Sequence, residues 1–114
     1  MGATSTAVVF EQPGEMSLRP VELPEPHSTD CVIEVHWTGI STGTERLLWE
    51  GRMPHFPGLA YPLVPGYESV GNVVACGSEA EIAVGQRVFV PGSRGFTNVR
   101  GLFGGASRAL VVPA

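Results

Sequence analysis

Pro65-Gly66-Tyr67-Glu68-Ser69-Val70-Gly71-Asn72-Val73-Val74-Ala75-Cys76-Gly77 decides how this chain folds. Val70 to Ala75 is short and rich in β-branched residues, which predicts a strand, and Gly71-Asn72 predicts a bend or bulge within it. Gly77-Ser78 is a turn. Downstream, Arg87 to Val90 reads as a short strand stopped by Pro91-Gly92, Gly92 to Gly105 as irregular chain, and Leu110 to Val112 as a last strand. Upstream, Cys31 to Ile40 is the clearest strand, with Cys31, Ile33, Val35 and Trp37 alternating against Val32, Glu34, His36 and Thr38. His36 falls on the more polar face, as a solvated strand histidine would. Gly39 and Gly43 break this strand. Thr44 to Trp49 then predicts one or two helical turns, with Thr44 or Thr42 as N-cap and Gly51 as terminator. Ala7 to Phe10, the turn Gln12-Pro13-Gly14 and Met16 to Val21 form a hairpin, followed by the Pro-containing loop Leu23 to Thr29. Short strands separated by turns predict a mainly-β domain, a small barrel or sandwich with one or two short helices.

Composition narrows the function. The chain has 114 residues, 43% of them hydrophobic and 16% charged, which suits one folded domain. Its net charge is −4, and all seven basic residues are arginines scattered from Arg19 to Arg108. A nucleic-acid partner needs a concentrated basic surface, so it is not expected. Cys31 and Cys76 lie in apolar stretches and read as two buried free thiols, with a disulfide between them as the alternative that no secretory signal supports. Met1 to Thr6 is small and polar, and Met53 to Tyr67 carries four prolines, so the expectation is a cytoplasmic protein. No Gly-x-Gly triplet occurs, so the strand–Gly-x-Gly-x-x-Gly–helix unit that cradles a dinucleotide pyrophosphate is not expected in this chain. Gly101-Leu102-Phe103-Gly104-Gly105 reads as a flexible turn instead.

The opening segment resembles the Pro-Gly-His-Glu-x-x-Gly-x-Val signature of the medium-chain dehydrogenases/reductases. Val84-Gly85-Gln86-Arg87-Val88 is similar to that family's Val-Gly-Asp-Arg-Val element. Gly39-Ile40-Ser41-Thr42-Gly43-Thr44-Glu45 is similar to its Gly-Ile-Cys-Gly-Thr-Asp element, with one residue more. The resemblance implies a GroES-like, partly open β-barrel over residues 1–114, the substrate-binding domain of an oxidoreductase whose NAD-binding Rossmann domain lies outside this chain. Further matches at Glu34 to Glu45, Leu48 to Pro54, Tyr61 to Gly71 and Arg100 to Ala106 resemble one branch of the family. That branch serves bacteriochlorophyll synthesis and oxidises the 3-(1-hydroxyethyl) group of a bacteriochlorophyllide-type tetrapyrrole to 3-acetyl with NAD. It implies a greasy substrate and a site peripheral to photosynthetic membranes. A zinc-independent quinone reductase and a free-standing co-chaperonin module are the competing readings.

In zinc-dependent members the Cys of one element and the His of the other bind the metal. Here those positions hold Ser41 or Thr42, and Tyr67. Hydroxyls are poor zinc ligands beside thiolate and imidazole, and Glu68 alone does not hold the ion, so a zinc-independent member is implied. Without zinc, hydrogen-bonding groups must stabilise the developing alkoxide or relay its proton. Tyr67 is the first candidate for that work, and Thr44 matches the family's relay hydroxyl. Ser41, Thr42, Glu45 and Glu68 are supporting candidates. Tyr67 as a filler of the lost metal site and Glu68 as a turn-tying carboxylate are the structural alternatives. Met53, Phe56, Leu59 and Tyr61, on a loop stiffened by proline, suit a large flat ring, and His55 offers an imidazole to a central magnesium ion. The same side chains alternatively pack on the barrel or meet a second domain.

On this reading the chain alone reduces no NAD with any alcohol, which absorbance of the reduced nucleotide checks. Light scattering should return no ring-sized mass; a ring would favour the co-chaperonin reading.

Overall fold

A computed structural model describes residues 3–101 and 104–114. Leu102 and Phe103, within the turn expected at Gly101–Gly105, lie outside the described residues. The hairpin forms as Thr4–Gln12 (β1) and Glu15–Glu22 (β2), antiparallel around a Pro13-Gly14 turn. Gly14 takes φ 78°, a value a side chain would oppose. Along β1, Ser5, Ala7 and Val9 point inward. Pro20 is tolerated in β2 because that strand pairs on one side only, with β1, and needs no amide donor on the other.

The second sheet runs β5-β4-β3-β6, all antiparallel, with Asp30–Thr38 (β3), Ser69–Cys76 (β4), Arg87–Val90 (β5) and Ala109–Pro113 (β6). Its inner face buries Cys31, Ile33, Val73, Val90 and Leu110. The sheets join through β1. Val8 N–H donates to Ala106 O at 2.9 Å, Arg108 N–H to Thr6 O at 2.9 Å, and Phe10 and Leu63 exchange bonds of 2.8 and 3.0 Å. A buried serine pair closes the seam, with Ser5 Oγ 2.7 Å from Ser107 Oγ and accepting Ala109 N–H at 2.9 Å. The expected mainly-β, partly open barrel is therefore the observed architecture, with one helix among the described residues, Thr42–Glu50 (α1).

Four expectations need correction. The Gly71-Asn72 bulge instead falls on either side of that pair. In the β3–β4 register, Val74 is the extra residue opposite Val32–Ile33, and His36 is the extra residue opposite Gly71–Val70. Gly71 answers a different need, since a Cβ there would lie 2.1 Å from Glu34 O. The bulge at His36 also ends the alternation, so Trp37 is 72% exposed rather than inward, and β3 stops at Thr38. The helix is capped by Ser41, not Thr42 or Thr44, because the chain turns helical one residue earlier than the threonines suggest. Cys31 is buried, but Cys76, at the end of β4, is only half-buried; both are free. Gly51 does end the helix, at φ 72°, and its turn places Arg52 N–H on Leu47 O at 2.8 Å. Among the described residues no helix is long and apolar enough to cross a membrane.

Gly71→Ala should cost about 3 kcal/mol, at the upper end for a forced overpacking because the obstacle is backbone. Urea denaturation measures it.

Candidate functional site

The β3–β4 pairing carries two short segments to one place. β3 leaves the sheet at Gly39 and enters α1 through Ser41; the loop before β4 delivers Gly66, Tyr67 and Glu68. Gly39 N–H donates to Glu68 O at 2.6 Å, and the Glu68 carboxylate lies over Gly39, 2.6 Å from where a Cβ would stand. The glycine is what leaves room for that side chain. On the other flank, Gly66 adopts φ 98° and sits against the 105–106 backbone, where Gly105 N–H donates to Gly66 O at 2.8 Å and Ala106 N–H to Pro65 O at 2.9 Å. A Cβ on Gly66 would approach Ala106 N at 3.0 Å. Buried Ser69 Oγ donates to Gly105 O at 2.9 Å, fixing the turn from below. Tyr67 stands half-buried between these anchors.

From α1, Glu45 points back toward the same place. Its carboxylate accepts the Ser41 backbone N–H, while its Oε2 is buried without a hydrogen-bond partner. Burial, foremost, raises the Glu45 carboxyl above the usual carboxylate range; the Ser41 N–H opposes this and the nearby Glu68 charge adds to it. The Ser41-to-Glu45 reach resembles a capping box, and serves the helix entrance where the Ser41 side chain makes no cap bond. Thr44 is half-buried in the first turn and Thr42 is exposed. The structure thus brings Ser41, Glu45 and Glu68 together, with Tyr67 beside Glu68 in the chain and Thr42 and Thr44 on the adjoining helical turn.

The proposed ring-binding loop divides. Met53, Leu59 and Tyr61 pack on the buried cluster Phe10–Leu48–Leu63 beneath α1, and the Tyr61 hydroxyl donates to Leu48 O. Burial raises the Tyr61 hydroxyl above its usual range. Phe56 is half-buried and His55 exposed, away from Glu45 in sequence and facing solvent with Pro54 and Pro57. Two exposed apolar residues lie close to Gly39 in the chain, Trp37 and Ile40, at 72% and 75% exposure. Their signal was weak, a strand end beside glycine.

The donor set does not suit zinc. Where thiolate and imidazole would be required, the chain offers hydroxyls and carboxylates, and among the described residues no group of three or more His, Cys, Asp or Glu side chains could hold a metal ion.

Residues 27–114 match the alcohol dehydrogenase GroES-like domain. The chain is 48% identical over 115 residues to 2-desacetyl-2-hydroxyethyl bacteriochlorophyllide A dehydrogenase of Cereibacter sphaeroides, covering 96% of this chain and 36% of that protein. It is 48% identical over 108 residues to the protein of the same name from Rhodobacter capsulatus, covering 94% and 34%. It therefore spans about a third of the length of these relatives. Among solved structures, one described as a short chain alcohol dehydrogenase from Escherichia coli CFT073 complexed with cofactor NADH superposes with a TM-score of 0.74 at 28% identity, over 99% of this chain and 37% of that one.

Because Glu45 holds its proton more tightly folded than unfolded, its charged form works against folding once pH rises through the folded value. Glu45→Gln should therefore raise the melting temperature near neutral pH by about 2–4 °C. The gain should vanish below about pH 4, under the unfolded value. Melting scans across pH test the sign.

Proposed function

The chain belongs to the alcohol dehydrogenase GroES-like domain family, and from that premise we propose that it is the substrate-binding domain of a zinc-independent, NAD-dependent alcohol dehydrogenase that oxidises the 3-(1-hydroxyethyl) group of a bacteriochlorophyllide to 3-acetyl. The observation that carries the proposal is the 48% identity over 96% of the chain to the Cereibacter protein. The nicotinamide, when bound, supplies the hydride acceptor. With no Gly-x-Gly in this chain, its pyrophosphate belongs to a nucleotide-binding Rossmann domain in the rest of the protein.

This chain's residues then handle the alcohol. The Tyr67 hydroxyl holds the substrate oxygen where a metal would otherwise polarise it, and takes its proton as the carbon loses hydride. Thr44 passes that proton along the first turn of α1. Glu45, whose burial favours its protonated form, and Glu68 beside it receive it. Ser41 and Thr42 add hydroxyl donors at the helix entrance. The macrocycle lies across the outward part of the 53–61 loop. Phe56 meets its face there and His55 reaches toward its central ion, while Met53, Leu59 and Tyr61 hold the loop from behind. Trp37 and Ile40 cover the ring edge nearest the reacting carbon.

In the full-length protein, Tyr67→Phe should lower kcat about 100-fold with KM within about twofold, as expected for loss of one acid–base group. Dialysis against a zinc chelator should leave activity intact. Activity lost to the chelator and restored by zinc would overturn the metal-free reading.

A further inference from the structure

At the end of the β3–β4 ribbon remote from Tyr67, Cys31 and Cys76 are register partners, 45 residues apart in sequence, with Sγ atoms 2.9 Å apart. Gly77 N–H donates to Asp30 O at 2.8 Å, which makes Asp30–Gly77 a hydrogen-bonded rung. Cys31 and Cys76 therefore form the adjacent non-hydrogen-bonded pair, where facing side chains come closest. Such pairs hold their Cα atoms about 4.5 Å apart, inside the range of about 4.4–6.8 Å that a disulfide spans. Nothing in the alcohol chemistry uses either sulfur. We propose that Cys31 and Cys76 form a reversible intrachain disulfide, a redox modification site that staples β3 to β4.

The route is thiol–disulfide exchange with a small-molecule disulfide. Cys76 is the more accessible sulfur, and Cys31 is 1% exposed. Burial, followed by the neighbouring Cys76, pushes the Cys31 thiol up to about 11, so it stays protonated near neutral pH. Cys76 thus attacks first. Its thiolate displaces one thiolate from the small disulfide, leaving a mixed disulfide on Cys76. Cys31 then loses its proton and attacks the Cys76 sulfur, forming the Cys31–Cys76 bond and expelling the second thiolate. In sum, one protein dithiol and one small disulfide become one protein disulfide and two small thiols. An apolar cavity of about 340 Å³, lined by Cys31 with Ile33, Ile82, Val88 and Val112, adjoins the pair and leaves space for the sulfurs to rearrange.

The purified chain, equilibrated with oxidised glutathione, acid-quenched, alkylated and digested without reductant, supplies the test. The expected result is a mass lower by two hydrogens and a cross-linked peptide joining Cys31 to Cys76. The melting temperature should also rise by about 5 °C or more, because the closed loop restricts the unfolded chain, and dithiothreitol should reverse the rise. Cys76→Ala should show neither change. If that variant does not fold, the wild-type cross-linked peptide decides the matter alone. Two alkylatable thiols at equilibrium, glutathione held separately on the cysteines, or a cross-link only between two chains would overturn the proposal.

Discussion

The contact of β3 with β4 at Gly71 sets where everything else in this domain can go. A side chain at that position would stand 2.1 Å from Glu34 O, so the strands pair at this spacing only because the residue is glycine. On one side of the contact the bulge at His36 turns the end of β3 outward; on the other, the bulge at Val74 restores the ladder that leads to Cys76. The first displacement matters for function. It delivers Gly39 to Glu68 and starts α1 where Glu45 can reach back to the same pair. A straight strand would have kept Trp37 inward and carried residues 39–45 past the turn that holds Tyr67.

The site is held by backbone and by small residues more than by side-chain pairing. Gly39 admits a carboxylate over its Cα, Gly66 admits the 105–106 backbone, and Ser69 ties that backbone down. Within this frame the acidic side chains are not arranged for mutual comfort. Glu45 leaves one oxygen buried and unpartnered near a second carboxylate, an arrangement that favours its protonated form. Hydroxyls and carboxylates lying near one another are groups that can donate and accept protons, which is what the proposed relay draws on.

Much of the architecture was legible from sequence because short β-branched runs and glycine–proline punctuation are local signals. Arg87–Val90 was placed to the residue, and Gly51 as helix terminator was correct. What was not legible depends on pairing. Nothing local marks His36 or Val74 as the unpaired residue, since a bulge is a property of two strands in register. Trp37 was assigned inward by periodicity that the bulge interrupts. The helix is capped at Ser41 rather than at either threonine; serine and threonine both cap well, so the position is settled by where the chain leaves β3. The sequence leaves open whether the side chains from Met53 to Tyr61 face a ring or pack on the barrel; the buried cluster of Phe10, Leu48 and Leu63 draws Met53, Leu59 and Tyr61 inward and leaves Phe56 half-buried and His55 exposed.

Pigment recognition by this domain itself is what the proposed function requires. The most direct measurement is a titration of the purified chain with a bacteriochlorophyllide, following quenching of Trp37 and Trp49, which are 72% and 36% exposed, with a metal-free porphyrin of similar size as comparison. Saturable quenching, tighter than for the porphyrin and weakened by Phe56→Ala, is the expected result. Quenching that does not saturate, or that is the same for both rings and indifferent to Phe56, would contradict it.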